Sequence, residues 1–207
     1  MNHLLSKIGS YPFEKLNLLH KDIKPSKDVI NLSIGEPKLN ADSKVLDILN
    51  KETNSFSNYP PMNAVPELSE AYRQYLKNHF GIENVAEDEV CLVAGTREGT
   101  FSIIQALFNK ENVKEKPYVV MPNPFYQIYG GATTLAGGEA KFLDCPEEDN
   151  FQPDLDSLKS EDWQKCQILV LCSPNNPTGS VLPLSKLKNI LDLADKYDFY
   201  VVSDECY

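Results

Sequence analysis

The sequence QILVLCSPNNPTG at residues 167–179 decides how this chain is expected to fold. It begins with a short, uninterrupted apolar run, which is typical of a strand buried on both faces of a sheet. The run stops at a cluster of proline, asparagine and glycine, so we predict a tight loop at the carboxyl end of the strand. Ligands of open α/β sheets bind outside the carboxyl ends of the strands, which puts the amide of Asn176 within reach of a bound molecule. Turn chemistry alone explains the Asn-Pro and Thr-Gly pairs equally well.

A second strand end follows after one intervening helix. Residues 200–207 read YVVSDECY, so an acid, Asp204, and a phenol, Tyr207, come at a position that matches Asn176 in the first motif. Upstream, apolar runs alternate with segments of 3.6-residue periodicity, and this alternation predicts βαβ units and a mostly parallel sheet. We predict a buried strand at residues 90–94, further strands at 118–121 and 140–143, a short strand at 30–34, and helices at 66–80 and 183–197.

The composition argues against several classes of protein. The 207 residues include 20 basic and 30 acidic side chains, a formal net charge of −10, which disfavours binding to nucleic acid or to an anionic membrane. The start, MNHLLSK, has no long apolar segment, so we expect neither a signal peptide nor a membrane span. The five cysteines form no Cys-x-x-Cys pair, and several lie in apolar runs, which indicates reduced thiols and a cytoplasmic protein. The three histidines are scattered, so a metal site is not expected.

Three further positions offer chemistry to a ligand. Gly95-Thr96-Arg97 joins a predicted strand to a predicted helix, where backbone N–H groups and the helix dipole favour an anion such as phosphate, although an ordinary turn looks the same. Tyr126 follows the next strand end and can stack on a flat ring or fill the core. Asp204 needs a partner, for which a protonated heteroaromatic nitrogen, a metal or an arginine would serve. Together with the amide of Asn176 and the phenol of Tyr207, these residues predict a pocket for a flat, phosphorylated pyridine.

The same residues fall into motifs of a known family. The chain resembles the class I/II aminotransferases, which are pyridoxal 5′-phosphate (PLP) enzymes of fold type I. The resemblance implies the three-layer αβα large domain of that α/β fold, with an N-terminal arm and part of the small domain at residues 1–40 and the PLP-binding domain at 41–207. Six motifs carry it in the family's order: Gly35-Glu36-Pro37, Tyr59 with Pro66-Glu67-Leu68, Gly95-Thr96-Arg97-Glu98, Pro124-Phe125-Tyr126, Asn176-Pro177-Thr178-Gly179 and Asp204-Glu205-Cys206-Tyr207.

The resemblance also implies a role for each matching residue. A carboxylate paired with the ring nitrogen keeps that nitrogen protonated, so that the ring accepts electrons from the substrate. The implied cofactor ligands are the backbone of Thr96 and Arg97 for the phosphate, Tyr126 for the face of the ring, Asn176 and Tyr207 for the phenolate oxygen, and Asp204 for the ring nitrogen.

Two other residues are implied to act outside this set. Gly35 would offer its backbone to the carboxylate of the substrate. Tyr59 would reach the phosphate bound by a neighbouring subunit, which implies a homodimer. Ala64 departs from the family pattern, which often has glycine there, so the loop after Tyr59 is expected to differ in shape.

The catalytic lysine is not among the matching residues. The lysine that forms a Schiff base with the cofactor would lie beyond Tyr207, as would the arginine that binds the substrate carboxylate. We therefore assign no catalytic residue to this chain. We expect it to be the N-terminal part of a longer enzyme and to be inactive alone.

The substrate is the least determined feature. The segment Tyr11-Pro12-Phe13-Glu14-Lys15-Leu16 resembles the N-terminus of succinyldiaminopimelate aminotransferases, which implies transfer between an amino acid and a 2-oxo acid, namely succinyldiaminopimelate and 2-oxoglutarate in lysine biosynthesis. Aspartate, alanine and aromatic transaminases are alternatives, as is a PLP-dependent C–S β-lyase on the same scaffold. A non-catalytic alternative is an aminotransferase-like regulatory domain, although the acidic start of the chain shows no basic recognition helix.

Overall fold

The structure is a computed structural model that describes residues 2–33, 35, 39–59, 65–111 and 116–207. They form two compact units, one of Met1–Ser10 with Val93–Tyr207 and the other of Tyr11–Leu92. The domain boundary predicted after residue 40 stays a prediction. The helices are α1 (Pro12–His20), α2 (Ser43–Lys51), α3 (Pro66–Phe80), α4 (Thr96–Leu107), α5 (Gln127–Ala136), α6 (Ser160–Trp163) and α7 (Leu184–Tyr197), and the strands are β1 (Tyr118–Asn123), β2 (Glu139–Asp144), β3 (Cys166–Cys172) and β4 (Tyr200–Asp204).

Four parallel strands form the sheet of the larger unit, in the order β2-β1-β3-β4. α5 connects β1 to β2 and α7 connects β3 to β4, which are the crossovers that parallel pairing requires. The predicted α/β fold with a mostly parallel sheet is confirmed, and in the described residues the sheet is parallel throughout.

Helices cover both faces of the sheet because β3 is apolar at every position that faces them. Leu169 and Leu171 lie in a buried cluster that includes Ile190 of α7. Ile168 and Val170, which point the other way, lie in a second cluster that includes Ile104 of α4 and residues of α5. This explains why the run at residues 168–171 is uninterrupted rather than alternating. The result is a three-layer arrangement with the site-bearing loops at the edge of the sheet.

The prediction of a buried strand at residues 90–94 is wrong. Cys91 and Val93 are exposed, and the segment pairs with no other strand of the described residues. A strand needs a neighbour that completes its backbone hydrogen bonds, so apolar side chains alone do not produce one.

The short strand predicted at residues 30–34 is also absent over residues 30–33. The side-chain oxygen of Asn31 accepts hydrogen bonds from the backbone N–H of Ser33 at 3.0 Å and from its hydroxyl at 2.6 Å, which bends the chain into a turn. Ile34 and the Glu36-Pro37 pair of the first family motif lie outside the described residues.

α5 ends at a glycine. Gly137 adopts a left-handed conformation with φ of +88° after the last helical residue, which glycine reaches without strain. Gly138 then passes so close to Phe108 that an added Cβ would lie 2.5 Å from the ring. This close contact ties the end of α5 to the end of α4.

Candidate functional site

The carboxyl ends of β3 and β4 bring Asp204 beside the start of the Asn176 loop. In the parallel register Cys172 lies opposite Asp204, and the backbone N–H of Ser173 donates to the carbonyl oxygen of Asp204 at 3.1 Å. The loop that carries Asn176 begins at Ser173. The amide-bearing loop and the carboxylate therefore lie at the same edge of the sheet.

The loop of residues 173–182 is closed by its own hydrogen bonds. The backbone N–H of Asn175 donates to the carbonyl of Ser180 at 2.8 Å, and its buried side chain donates to the hydroxyl of Thr178 at 2.9 Å. Asn176 is half-buried, and its backbone N–H contacts the thiol of Cys172. Turn chemistry therefore applies to Asn175 and Thr178, whereas no hydrogen bond described for this loop uses the side chain of Asn176.

The N-terminus of α4 lies at the end of β4. Gly95 is the N-cap residue and, having no side chain, makes no capping hydrogen bond to the first turn. The hydroxyl of Thr96 contacts the thiol of Cys206 at 3.3 Å, so the first turn of α4 and the residues after β4 are neighbours. An uncapped helix N-terminus presents N–H groups and the positive end of the helix dipole to an anion.

Arg97 and Tyr126 are joined by a hydrogen bond. The guanidinium Nε of Arg97 donates to the hydroxyl of Tyr126 at 2.8 Å. Tyr126 precedes α5 as its N-cap residue, and its half-buried ring meets the ring of Tyr129 edge-on, with the centroids 5.8 Å apart. The contact links the positive end of α4 to the aromatic residue at the start of α5.

Tyr129 was not singled out from the sequence, and it completes this set. Only 1% of its surface is exposed, and its hydroxyl donates to Oδ2 of Asp204 at 2.6 Å. Burial, and then the hydrogen bond to the Asp204 carboxylate, raise the pKa of Tyr129 far above its usual value, so the phenol stays a neutral donor. The signal that could have found it is the spacing from Tyr126, because a tyrosine three residues into a helix that packs on a sheet needs a buried partner for its hydroxyl.

Tyr207 lies near the same groups but is largely exposed, at 72% of its surface. Partial burial, followed by the charges of Cys172, Cys206, Asp204 and Tyr126, raises its pKa. Tyr207 comes three residues after the end of β4, so it lies at the same edge of the sheet as Asp204.

Gly35 and Tyr59 belong to the other unit, Tyr11–Leu92. Gly35 is exposed, and Tyr59 has 98% of its surface exposed. Their implied roles toward substrate and a neighbouring subunit stay predictions, as does the changed loop at Ala64, which lies outside the described residues.

The chemistry of the residues brought together fits PLP. The N-terminus of α4 suits a phosphate, the ring of Tyr126 suits a flat heterocycle, and the carboxylate of Asp204 suits a protonated ring nitrogen. Asn176 and Tyr207 supply polar hydrogens of the kind that a phenolate oxygen accepts.

Other site types find less support in the described residues. They contain no group of three or more histidine, cysteine or acidic side chains arranged to hold a metal ion. Among the helices described, none combines the length and the hydropathy needed to cross a membrane. All five cysteines are free thiols, with Cys166 and Cys172 buried and Cys91 and Cys206 exposed.

Comparison with known proteins agrees with this chemistry. The family model described as aminotransferase class I and II matches residues 27–207. The chain is 30% identical to an aspartate aminotransferase of Pyrococcus horikoshii over 93% of its length and 48% of the relative's, and 29% identical to LL-diaminopimelate aminotransferase 2 of Nostoc sp. over 98% of its length and 52% of the relative's. It thus spans about half the length of these curated relatives.

A solved structure extends the likeness to the fold. The crystal structure of an aminotransferase from Neisseria meningitidis superimposes on the whole chain and on 53% of its own length, with a TM-score of 0.92 and 41% identity. The sequence match, the parallel sheet and the donors at its carboxyl edge lead to one conclusion. This chain belongs to the class I and II aminotransferases, whose members depend on pyridoxal 5′-phosphate.

Proposed function

We propose that this chain forms the cofactor-binding floor of a PLP-dependent aminotransferase that moves an amino group between an amino acid and a 2-oxo acid. The observation that carries the proposal is the carboxylate of Asp204, held by the buried hydroxyl of Tyr129 next to the uncapped N-terminus of α4. A carboxylate and an anion site at one edge of a sheet match the two ends of a phosphorylated pyridinium.

Each residue then has a role toward the bound cofactor. PLP, when bound, supplies the electron-accepting ring on which amino transfer depends. Asp204 holds a proton on the ring nitrogen, and the Tyr129 hydroxyl fixes the orientation of that carboxylate. The remaining proposed contacts are the backbone of Thr96 and Arg97 to the phosphate, Tyr126 to the ring face, and Asn176 and Tyr207 to the phenolate oxygen.

The contacts outside the larger unit are proposals for the whole protein. Gly35 offers its backbone to the substrate carboxylate, and Tyr59 reaches the phosphate site of a second copy, so the whole protein is a homodimer. Its mass in solution, measured by light scattering with and without the substitution Tyr59→Phe, tests the dimer. A monomeric wild-type protein would remove the reason for placing Tyr59 at a partner's site.

The proposed amino donor carries a second carboxylate, in addition to the one on the carbon that bears the transferred amino group. Aspartate and LL-diaminopimelate, named for the relatives, share this feature, and so does succinyldiaminopimelate, which the N-terminal motif favours. We propose succinyldiaminopimelate with 2-oxoglutarate as the acceptor. Assays of the whole protein with these three donors and with alanine rank the candidates, and pyruvate and ammonia released from cystathionine would identify a β-lyase instead.

Cofactor binding is tested with pyridoxamine 5′-phosphate, which lacks the aldehyde that reacts with surface lysines. We expect calorimetric titration of the chain to show binding that Asp204→Asn weakens at least about tenfold, since a partly buried charge pair is worth ~1.4 kcal/mol or more. Asp192→Asn, an exposed position on α7, is the matched control. Equal affinity of Asp204→Asn and the wild-type chain would contradict the proposed site.

A further inference from the structure

Gln152 makes two hydrogen bonds to the loop that carries Asn176. The side chain of Gln152 is buried, with 9% of its surface exposed, and its Nε2 donates to the hydroxyl of Ser180 at 2.6 Å and to the carbonyl oxygen of Val181 at 2.8 Å. Because a carbonyl can only accept, the contact with Val181 fixes which end of the amide points into the loop.

The two hydrogen bonds act on the closure of the loop. The carbonyl of Ser180 accepts from the backbone N–H of Asn175, so Ser180 lies on one side of the closed loop and Asn175 on the other. Asn176 directly follows Asn175. Holding Ser180 and Val181 in place therefore holds the chain on both sides of Asn176.

The two residues before Gln152 adopt an unusual backbone conformation, and the Gln152 side chain that follows them is buried. Asn150 and Phe151 both have positive φ angles, +52° and +57°. Asparagine tolerates this region, but an aromatic residue rarely adopts it, and such strain persists only where surrounding contacts enforce it. The backbone N–H of Phe151 donates to the carbonyl of Pro146 at 2.9 Å, which closes the turn.

A second attachment holds this turn against α7. The ammonium of Lys186 donates to the carbonyl of Pro153 at 3.1 Å and pairs with Asp149 at 3.4 Å. Gln152 is thus anchored on a segment that is itself fixed at both sides. A rigid support of this kind is what a precisely placed amide requires.

We propose that Gln152 is a positioning residue, which acts through Ser180 and Val181 to place the amide of Asn176 for the cofactor. The inference rests on the proposed function, because Asn176 has a role only if the cofactor binds at this edge. Gln152 itself touches neither cofactor nor substrate in this proposal.

The test compares Gln152→Met, which keeps the length of the side chain and removes its donor, with Gln164→Met, an exposed glutamine at the end of α6. Hydrogen exchange of the chain without cofactor reports the amides of residues 175–182, and calorimetry reports the affinity for pyridoxamine 5′-phosphate. We expect Gln152→Met to lower amide protection in this loop and to weaken binding, each by about tenfold, while β3 keeps its protection and the control changes neither. Ser180→Ala, which removes one acceptor only, should show the same pattern more weakly and serves if Gln152→Met does not fold.

The outcomes separate the two ideas. Unchanged protection of residues 175–182 would overturn the role of Gln152 whether or not the cofactor binds. Reduced protection with wild-type affinity would also overturn it, because the loop would then be held without any consequence for the ligand. Failure of the wild-type chain to bind would refute the proposed function, and the positioning role with it, while the exchange data would still show whether Gln152 holds the loop.

Discussion

The hydroxyl of Tyr129 donates a 2.6 Å hydrogen bond to Oδ2 of Asp204 across the carboxyl edge of the sheet. The two residues are 75 positions apart, and they meet because α5 packs on the face of the sheet whose last strand ends at Asp204. The contact ties the orientation of the carboxylate to a side chain in the core. The charge proposed to face the cofactor is therefore fixed before any ligand arrives.

Replacement of Tyr129 by phenylalanine should weaken both the fold and the cofactor site. The ring stays in the core, but a half-buried carboxylate loses its donor, and a hydrogen bond to a charged group is worth about 2 kcal/mol. We expect the free energy of unfolding in urea to fall by about that amount, and the affinity for pyridoxamine 5′-phosphate to fall at least about threefold because the carboxylate is no longer held in one orientation.

The matched control for this change is Tyr200→Phe, an exposed tyrosine on the same strand as Asp204. It should leave both measurements within error. If Tyr129→Phe weakened the fold but left affinity at the wild-type value, Tyr129 would be a structural residue without influence on the site.

Arg97 is expected to matter mainly for ligands that carry a phosphate. Its guanidinium is next to the uncapped start of α4 and is held by the hydroxyl of Tyr126. Arg97→Met should weaken binding of pyridoxamine 5′-phosphate about tenfold and change binding of pyridoxamine, which has no phosphate, much less. Arg73→Met, in the other unit, is the control. An equal loss for both ligands would place Arg97 away from the phosphate.

The sequence predicts those strands and helices whose apolar side chains pack against other parts of the same chain. The run at residues 168–171 is apolar throughout because Leu169 and Ile168 face different helical layers, and that pattern is visible without coordinates. The segment at 90–94 has similar residue types, yet among the described residues it has no partner strand. Whether a segment finds a partner strand depends on the rest of the fold, so the residues of that segment alone do not predict it. Tyr129 was missed for a related reason. Its role depends on a hydrogen bond to the carboxylate of Asp204, which only the folded chain brings near it.

Lys141 should contribute stability that acid removes. Its ammonium pairs with Asp162 at 2.8 Å, and this contact lowers the pKa of the Asp162 carboxyl. A group whose pKa is lowered by folding stabilises the fold above its ordinary pKa and loses that contribution as the pH falls. Lys141→Met should therefore cost about 0.5 kcal/mol of unfolding free energy at pH 7, and the difference from wild type should shrink below about pH 4. If Lys141→Met cost the same unfolding free energy at pH 7 and below about pH 4, the effect would come from lost packing on Tyr118, which the Lys141 ammonium also approaches.

Alkaline pH should destabilise the chain through Cys166. This thiol is buried in the core at the start of β3, and burial raises its pKa from its ordinary value near 9 to about 12. Unfolding exposes the thiol and lets it lose its proton, so between these two values the unfolded chain binds fewer protons than the native one. The contribution of the Cys166 thiol to the free energy of unfolding is therefore fully present below pH 9. Between pH 9 and about pH 12 this contribution falls by about 1.4 kcal/mol for each pH unit.

Cys166→Ala isolates this effect, because alanine has no ionisable proton. The substitution should lower stability at pH 8, where a cavity costs about 1 kcal/mol or more, but between pH 8 and pH 10.5 the variant should lose about 2 kcal/mol less than the wild-type chain. Tyr129 has a raised pKa of the same sign and remains in both proteins, so it does not alter the comparison. Urea unfolding with a reductant present measures the difference, and Cys91→Ala, at an exposed thiol, should run parallel to wild type. If the unfolding free energy of Cys166→Ala changed with pH as that of the wild-type chain does, the Cys166 thiol would ionise as readily in the native chain as in the unfolded one. That result would contradict the burial of the thiol in the core.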